Sequence, residues 1–223
     1  FVRAAWLVAK NRQDSIRAEK LREELKNSHI VLAMSQIRTH FVFNILNTIS
    51  GMCEYDPQKA EETLVMFAHY LRSYINIMEE DEPEAFTKSL EQLEEYVFLE
   101  QVRFGEKIQF AKNIEADNFK IPPLVLQPLV ENAIKHGLLH KKQGGTVVLH
   151  TWAENGDVII EISDDGVGFD MTNAPGQESV GMKNVRFRLK YMVGGTMDIK
   201  SIPGQGTTVT ITIPGKHKIQ KTE

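Results

Sequence analysis

The chain has 223 residues, 42% of them hydrophobic and 25% charged, a composition of ordinary globular type and long enough to bury a core without covalent staples. With 26 basic against 30 acidic side chains the net charge is −4, which argues against the basic face on which direct nucleic-acid binding rests. A single cysteine, Cys53, excludes an internal disulfide and a cysteine-built zinc site, and fits a reducing cytosol.

No run reaches the roughly 18 to 20 consecutive apolar residues of a membrane-spanning helix. The short run Ala4–Ala9, followed by Lys10, Arg12 and Arg17, reads equally as the inner end of a membrane segment or as part of a helical linker. Ala18, Leu21, Leu25, Ser28, Leu32 and Ser35 alternate at spacings of three and four with small or polar residues interspersed, so residues 1–32 are expected to form a weak coiled-coil signalling linker. A helical stripe of Ile30, Met34, Ile37, Phe41, Ile45 and Met52 runs on until Tyr55-Asp56-Pro57 breaks it. Pro57 suits the first position of a second helix, whose expected apolar face is Ala60, Leu64, Phe67, Leu71, Ile75 and Met78. Residues 33–82 therefore predict a helical hairpin, and two copies in a four-helix bundle would bury both stripes.

After Pro83 the pattern changes. A helix from Thr87 to about Phe104, a strand at Lys107–Ala111 and an apolar helix ending near Gly137 precede two strands, Thr146–Trp152 and Val158–Ser163, which turn at Glu154-Asn155-Gly156-Asp157. A Gly-rich loop from Asp165 to Gly181, a helix from Met182 to Met192 and a last hairpin, Met197–Ile202 with Thr207–Ile213, complete residues 83–216, and 217–223 are a tail. The expected fold class is α+β: the helical hairpin followed by an α/β sandwich with helices on one face of a mixed sheet.

Three separated motifs carry chemistry. The first is Ser35 to Asn44, in which His40 lies at the edge of the apolar stripe and Asn44 follows one turn later on the same flank. A half-exposed imidazole, neutral near physiological pH, is a competent nucleophile, although a lone helical histidine is more often structural. In the second, Leu126 to Gly137, the residues Glu131, Asn132 and Lys135 can share a helix face, a set that suits a hydrated Mg²⁺ and the phosphates it bridges. His136 and His140 stand four apart but lack the HExxH context of a zinc site, so a surface pair is the better reading. The third is Asp164-Asp165-Gly166-Val167-Gly168-Phe169, directly after a strand, with Gly181-Met182-Lys183-Asn184 opening the next helix. Glycines let a backbone approach a flat ligand, a carboxylate at a strand end accepts from an exocyclic amine, and a helix N-terminus attracts phosphate. Neither a P-loop nor a GxGxxG after a strand is present.

In this order and spacing the motifs resemble those of LytS-type sensor histidine kinases, whose ATP-binding domain belongs to the GHKL or Bergerat-type group of gyrase, Hsp90, histidine kinases and MutL. The resemblance covers residues 33–214 and rests on Thr39-His40-Phe41-Val42-Phe43-Asn44, Leu126 to Gly137, Asp164 to Phe169, and Gly181 to Leu189. Where that family usually shows PHFLFN, Thr39 and Val42 replace a proline and a leucine, which removes an expected kink before His40. The resemblance implies that His40 is the phosphoacceptor and that Asn44 either orients it or assists dephosphorylation. It gives Asn132 to Mg²⁺ with Glu131 beside it, Lys135 and His136 to phosphate oxygens, and Asp164 to the adenine amino group. Gly166 and Gly168 would shape that pocket, residues 169–180 would form a lid over ATP, and Gly181 and Asn184 would stand at its closing helix. Arg186 and Arg188 become partners either of phosphates or of structural carboxylates. Other histidine kinases carry an acid directly after the histidine, where this chain has Phe41, so the general base is either Glu131 or no residue beyond an already neutral imidazole. Implied partners are a second copy of the chain and a response regulator, with LytTR type as the family expectation. The implied setting is the cytoplasmic part of a membrane sensor, reaching the membrane only through an N-terminal sensor segment. The alternatives are a non-catalytic dimeric signalling scaffold and an ATPase of the same fold.

Overall fold

A computed structural model describes residues 39–77, 82–170 and 179–215. The expected coiled-coil linker, most of the lid and the tail lie outside the described residues.

Helices α1 (Thr39–Met52) and α2 (Pro57–Ile77) form the expected hairpin. Its turn is set by local chemistry: Pro57 needs no amide partner in the first turn, and the Asp56 carboxylate accepts the Lys59 N–H at 3.1 Å as an N-cap. Phe41, Ile45, Ile49 and Met52 of α1 are buried against Ala60, Phe67 and Tyr70 of α2. The buried face of α2 is rotated from the expected one. Thr63 is fully buried, its hydroxyl returned to the Lys59 carbonyl at 2.7 Å, whereas Leu64 is 49% exposed. The cause is α3 (Phe86–Phe104), which packs on both hairpin helices within the same chain and selects the face carrying the large aromatic residues. An outer strip of Phe43, Leu46, Leu64 and Val65 remains exposed.

A short ladder follows, β1 (Glu84–Ala85) antiparallel to β3 (Lys120–Ile121), too brief to leave a periodic signal in sequence. The main sheet comprises β2 (Ile108–Ile114), β4 (Gly145–Glu154), β5 (Asp157–Asp164), β6 (Thr196–Ile202) and β7 (Gly206–Ile213), in the order β2-β4-β5-β7-β6. Only the β2–β4 pair is parallel, so the sheet is mixed, as expected. The β4–β5 hairpin turns at Asn155-Gly156, both with positive φ (50° and 93°), the conformation whose twist matches the flanking strands. Alternation places Val147 and Leu149, Ile160 and Ile162, and Val209 and Ile211 on one face, all buried. Against that face lie α4 (Leu126–Asn132), continued by a π turn (Ala133–Gly137), and α5 (Val180–Arg188), continued by a π turn (Leu189–Val193). Helix α5 begins two residues before the expected start because Ser179 caps it, its hydroxyl accepting the Met182 N–H at 3.3 Å. No helix among the described residues is long and apolar enough to cross a membrane.

Candidate functional site

A cavity of about 780 Å³ opens between α4, the start of α5 and the helix-facing side of β5, β7 and β6. That size is typical of small-ligand pockets. Its walls are mainly apolar, with Leu129, Ile162, Met182, Met197 and Val209, and Phe169 stands at the rim. Asn132, His136, Asp164 and Arg186 are among the polar residues that line it, with Ser179, Asp198 and Thr207.

Strand alternation explains Asp164: it continues the inward series Val158, Ile160, Ile162 and is the first of them to carry a charge. Its Oδ1 accepts the Gly166 N–H at 2.8 Å. Burial pushes its carboxyl above the ordinary carboxylate range, and the N–H groups of Gly166 and Thr207 offset part of that rise. The next acid, Asp165, has a different task. It is exposed, and its Oδ1 accepts the Thr146 N–H at 2.9 Å, bracing the loop against β4.

Glycines make the close approach possible. A Cβ on Gly166 would stand 2.4 Å from the Gly137 Cα and 2.5 Å from Asp164 Oδ1, so the loop after β5 and the π turn after α4 touch backbone to backbone. Gly168 has φ +57°, and a Cβ there would meet the Ile202 carbonyl oxygen at 2.1 Å. Gly181 is different, since among the described residues a Cβ there would have only the Ser179 Oγ within reach, at 3.8 Å. Gly181 and Asn184 are exposed at the start of α5, and neither lines the cavity.

The second motif is divided between two flanks. Asn132 and His136 line the cavity, but Glu131 and Lys135 form an ion pair and stand outside its lining. Glu131 instead faces the side where Tyr70, Tyr96 and Glu100 lie, since its charge raises the pKa of all three. The expectation that Glu131, Asn132 and Lys135 share a face is thereby corrected. Neighbouring residues on a helix diverge by about 100°, and hairpin packing directs Glu131 away from Asn132. Of the two arginines, Arg186 lines the cavity and its guanidinium donates to the Met197 carbonyl, while Arg188 donates to the Pro123 carbonyl at 3.3 Å and is a strut between α5 and the start of α4. Sequence reasoning passed over Thr207, taken only as the beginning of a strand. Its position opposite Asp164 in the β5–β7 register is a pairing that residue type alone does not reveal.

His40 is exposed near the start of α1, and the Asn44 amide nitrogen lies 3.0 Å from its Nδ1. No α1 residue lines the cavity. Among the described residues no cluster of three or more His, Cys, Asp or Glu side chains could hold a metal ion, and His136 with His140 makes no such site.

The model of the family "Histidine kinase" matches residues 28–108, and that of "Histidine kinase-, DNA gyrase B-, and HSP90-like ATPase" matches residues 122–217. The uncharacterized protein YwpD of Bacillus subtilis (strain 168) is 32% identical over 90% of this chain and 75% of its own length. The sensor protein LytS of Staphylococcus haemolyticus (strain JCSC1435) is 31% identical over 92% of this chain, which spans 37% of that protein. Among solved structures, the histidine kinase domain of the Erythrobacter litoralis EL346 blue-light activated histidine kinase shares the fold, with a TM-score of 0.53 at 16% identity, covering 87% of this chain and 94% of that one. With a histidine-bearing helical hairpin followed by a GHKL-type ATP-binding sandwich, and relatives matching along nine-tenths of its length, the chain belongs to the LytS-type sensor histidine kinases, which are ATP-dependent protein-histidine kinases.

Proposed function

We propose that this chain transfers the γ-phosphoryl group of ATP to His40 and that a response-regulator aspartate then receives it. The observation that supports this most directly is the cavity in which a half-buried carboxylate, Asp164, and an amide, Asn132, stand among mainly apolar walls, within a chain that also exposes His40 on a helix. Asp164 accepts from the adenine amino group, and Leu129, Ile162, Met182 and Val209 enclose the flat base. His136 and Arg186 stand toward phosphate oxygens. The donor set fits Mg²⁺, an ion that keeps most of its waters and takes one or two protein oxygens, here the Asn132 amide. When bound, Mg²⁺ neutralises charge on the phosphates.

In the transfer, an imidazole nitrogen forms an N–P bond as the bond from the γ-phosphorus to the bridging oxygen breaks and ADP leaves. Asn44 can choose the nitrogen: turned so that its carbonyl accepts from Nδ1–H, it leaves the Nε2 lone pair free to attack. A neutral imidazole needs no acid beside it. Glu131, held by Lys135 on the far flank of α4, is therefore not assigned as base.

The exposed strip of Phe43, Leu46, Leu64 and Val65 supports a second copy of the chain as partner, completing a four-helix bundle. The regulator is of LytTR type by family expectation. The chain spans little over a third of LytS, and in the whole protein an upstream membrane sensor biases the hairpin through residues 1–32.

Incubation with Mg²⁺ and γ-labelled ATP is expected to give acid-labile, alkali-stable label on the protein. His40→Gln is expected to lose all of it while keeping ATP affinity within about twofold, because no α1 residue lines the cavity. Continuous phosphate release without bound label would instead favour an ATPase.

A further inference from the structure

Two walls of the cavity are joined by a side chain to which the chemistry above gives no part. Helix α4 and its π turn supply Asn132, His136 and Gly137, while β5 supplies Ile162 and Asp164 and runs out into the loop that starts at Asp165. One link between these walls is made of backbone, where the Val167 N–H donates to the Gly137 carbonyl at 3.3 Å. Lys141, four residues beyond Gly137, makes another. Its ammonium donates to the Asp165 carbonyl and stands 3.5 Å from Asp165 Oδ2.

An exposed lysine is ordinarily a loose partner, and its ion pairs contribute little. Lys141 differs in how it is held. Its side chain is 24% exposed, its own N–H donates to the Leu138 carbonyl at 2.9 Å, and its carbonyl accepts the Gly144 N–H at 3.1 Å. Leu138 is fully buried. Gly144, with φ +72°, lies so close to the Lys107 backbone that a Cβ there would meet the Lys107 carbonyl oxygen at 2.1 Å. The loop is fixed on both sides of the lysine, so less freedom is lost when the ammonium takes up its partners.

What Lys141 grips is the residue next to Asp164. Asp164 ends β5, paired with Val147 and Thr207. Asp165 carries the pairing one step further: its N–H donates to the Thr146 carbonyl at 3.3 Å, and its Oδ1 accepts the Thr146 N–H at 2.9 Å. With Lys141 on its carbonyl and beside Oδ2, every polar group of Asp165 is engaged, which keeps the end of the strand from fraying. Charge acts in the same sense. Burial is the leading cause of the raised Asp164 carboxyl, the Asp165 charge adds to the rise, and the Lys141 ammonium opposes it.

We propose that Lys141 is a positioning residue of the adenine subsite and sets the preference for a purine that carries an exocyclic amine: it fastens the loop after β5 to the wall built by α4 and so holds the Asp164 carboxylate where that amine arrives. This rests on the ATP reading above. Lys141 does not line the cavity, so it acts through Asp165 and Asp164.

The test compares the Kd for ATP with that for inosine triphosphate, in which a carbonyl oxygen replaces the amine. Lys141→Met is expected to reduce the preference for ATP by about three- to tenfold, with the affinity for inosine triphosphate held within about twofold. Lys141→Arg can donate to the same carbonyl and carboxylate and is expected to keep most of the preference. Lys142→Met, which removes the same charge from the exposed neighbouring position, should keep all of it. Amide exchange at Val167 should quicken in Lys141→Met alone. A merely structural lysine would weaken both nucleotides by one factor, and a lysine that met phosphate directly would do so while also weakening inorganic triphosphate; either result overturns the proposal. An unchanged preference in a Lys141→Met variant with the circular dichroism of wild type overturns it too. Wild type that binds neither nucleotide, or both alike, overturns the ATP reading or the assignment of Asp164 beneath the proposal, and is told apart from a failure of Lys141 because it shows without any variant.

Discussion

Gly166→Ala is expected to abolish measurable nucleotide binding and to lower the melting temperature by about 5 °C or more. The added methyl would lie 2.4 Å from the Gly137 Cα and 2.5 Å from both Gly137 C and Asp164 Oδ1, and two of those three atoms are backbone. Relief requires the loop after β5 to lift from the π turn after α4, which moves Asp164 away from Asn132 and His136 together. Overpacking of this kind costs about 1–3 kcal/mol, and each kcal/mol shifts the transition of a chain this size by about 2–4 °C. Titration with a fluorescent ATP analogue and a thermal melt check the two parts. Wild-type affinity in a folded variant would show that the Gly166–Gly137 contact does not shape the pocket. Gly181→Ala is the natural control, since among the described residues no atom lies closer than 3.8 Å to the added methyl.

For Asp164→Asn the two readouts are expected to move apart. Affinity for ATP should fall by about 10- to 100-fold, the size of a lost hydrogen bond to a charged acceptor. Stability without nucleotide should hold or rise above neutral pH. Burial raises the Asp164 carboxyl above its ordinary value of 3.8, so the folded chain binds more protons than the unfolded chain between 3.8 and that raised value. The carboxyl's contribution to stability is therefore complete below 3.8 and is lost as pH rises through the raised value. Glu95 and Glu100 are raised from 4.5 in the same direction, with burial again the leading cause, so their contributions too are present in acid and are lost as pH rises through their raised values. Asn at position 164 removes one of the three contributions and flattens that dependence. Melting curves of wild type and Asp164→Asn, started near the ordinary carboxylate value of 3.8 and carried upward in pH, decide the matter. A pH dependence of melting that is the same in wild type and Asp164→Asn would contradict this account of Asp164. The opposing effects have one origin: a carboxylate kept in an apolar wall for an amine to meet weakens the empty protein.

The elements were largely legible in the order of residues. Pro57 and the Asp56 cap mark a helix start by local bonding, and Asn155-Gly156 marks a hairpin because its dihedral preferences match strand twist. Asp164 at the end of an alternating strand, Asn132 and His136 four apart, and Gly168 of the loop stood out by type and spacing, and all four line the same cavity.

Which way each helix turns was another matter. Periodicity made α2 amphipathic but placed Leu64 inward, until α3 took the neighbouring face with Thr63, Phe67 and Tyr70. Spacing allowed Glu131 and Lys135 to join Asn132 at the phosphates, but the hairpin and α3 at the back of α4 supplied Tyr70 and the Tyr96–Glu100 pair, and the two stripes parted. Arg188 carries the same charge as Arg186, yet one reaches the Pro123 carbonyl and the other the cavity. Backbone geometry sets the repeat of a helix or strand from nearest neighbours alone, so element type, caps, turns and ligand-bearing motifs can be read locally. The direction of burial depends on what packs alongside, and those surfaces come from residues tens of positions away, brought together only when the chain folds.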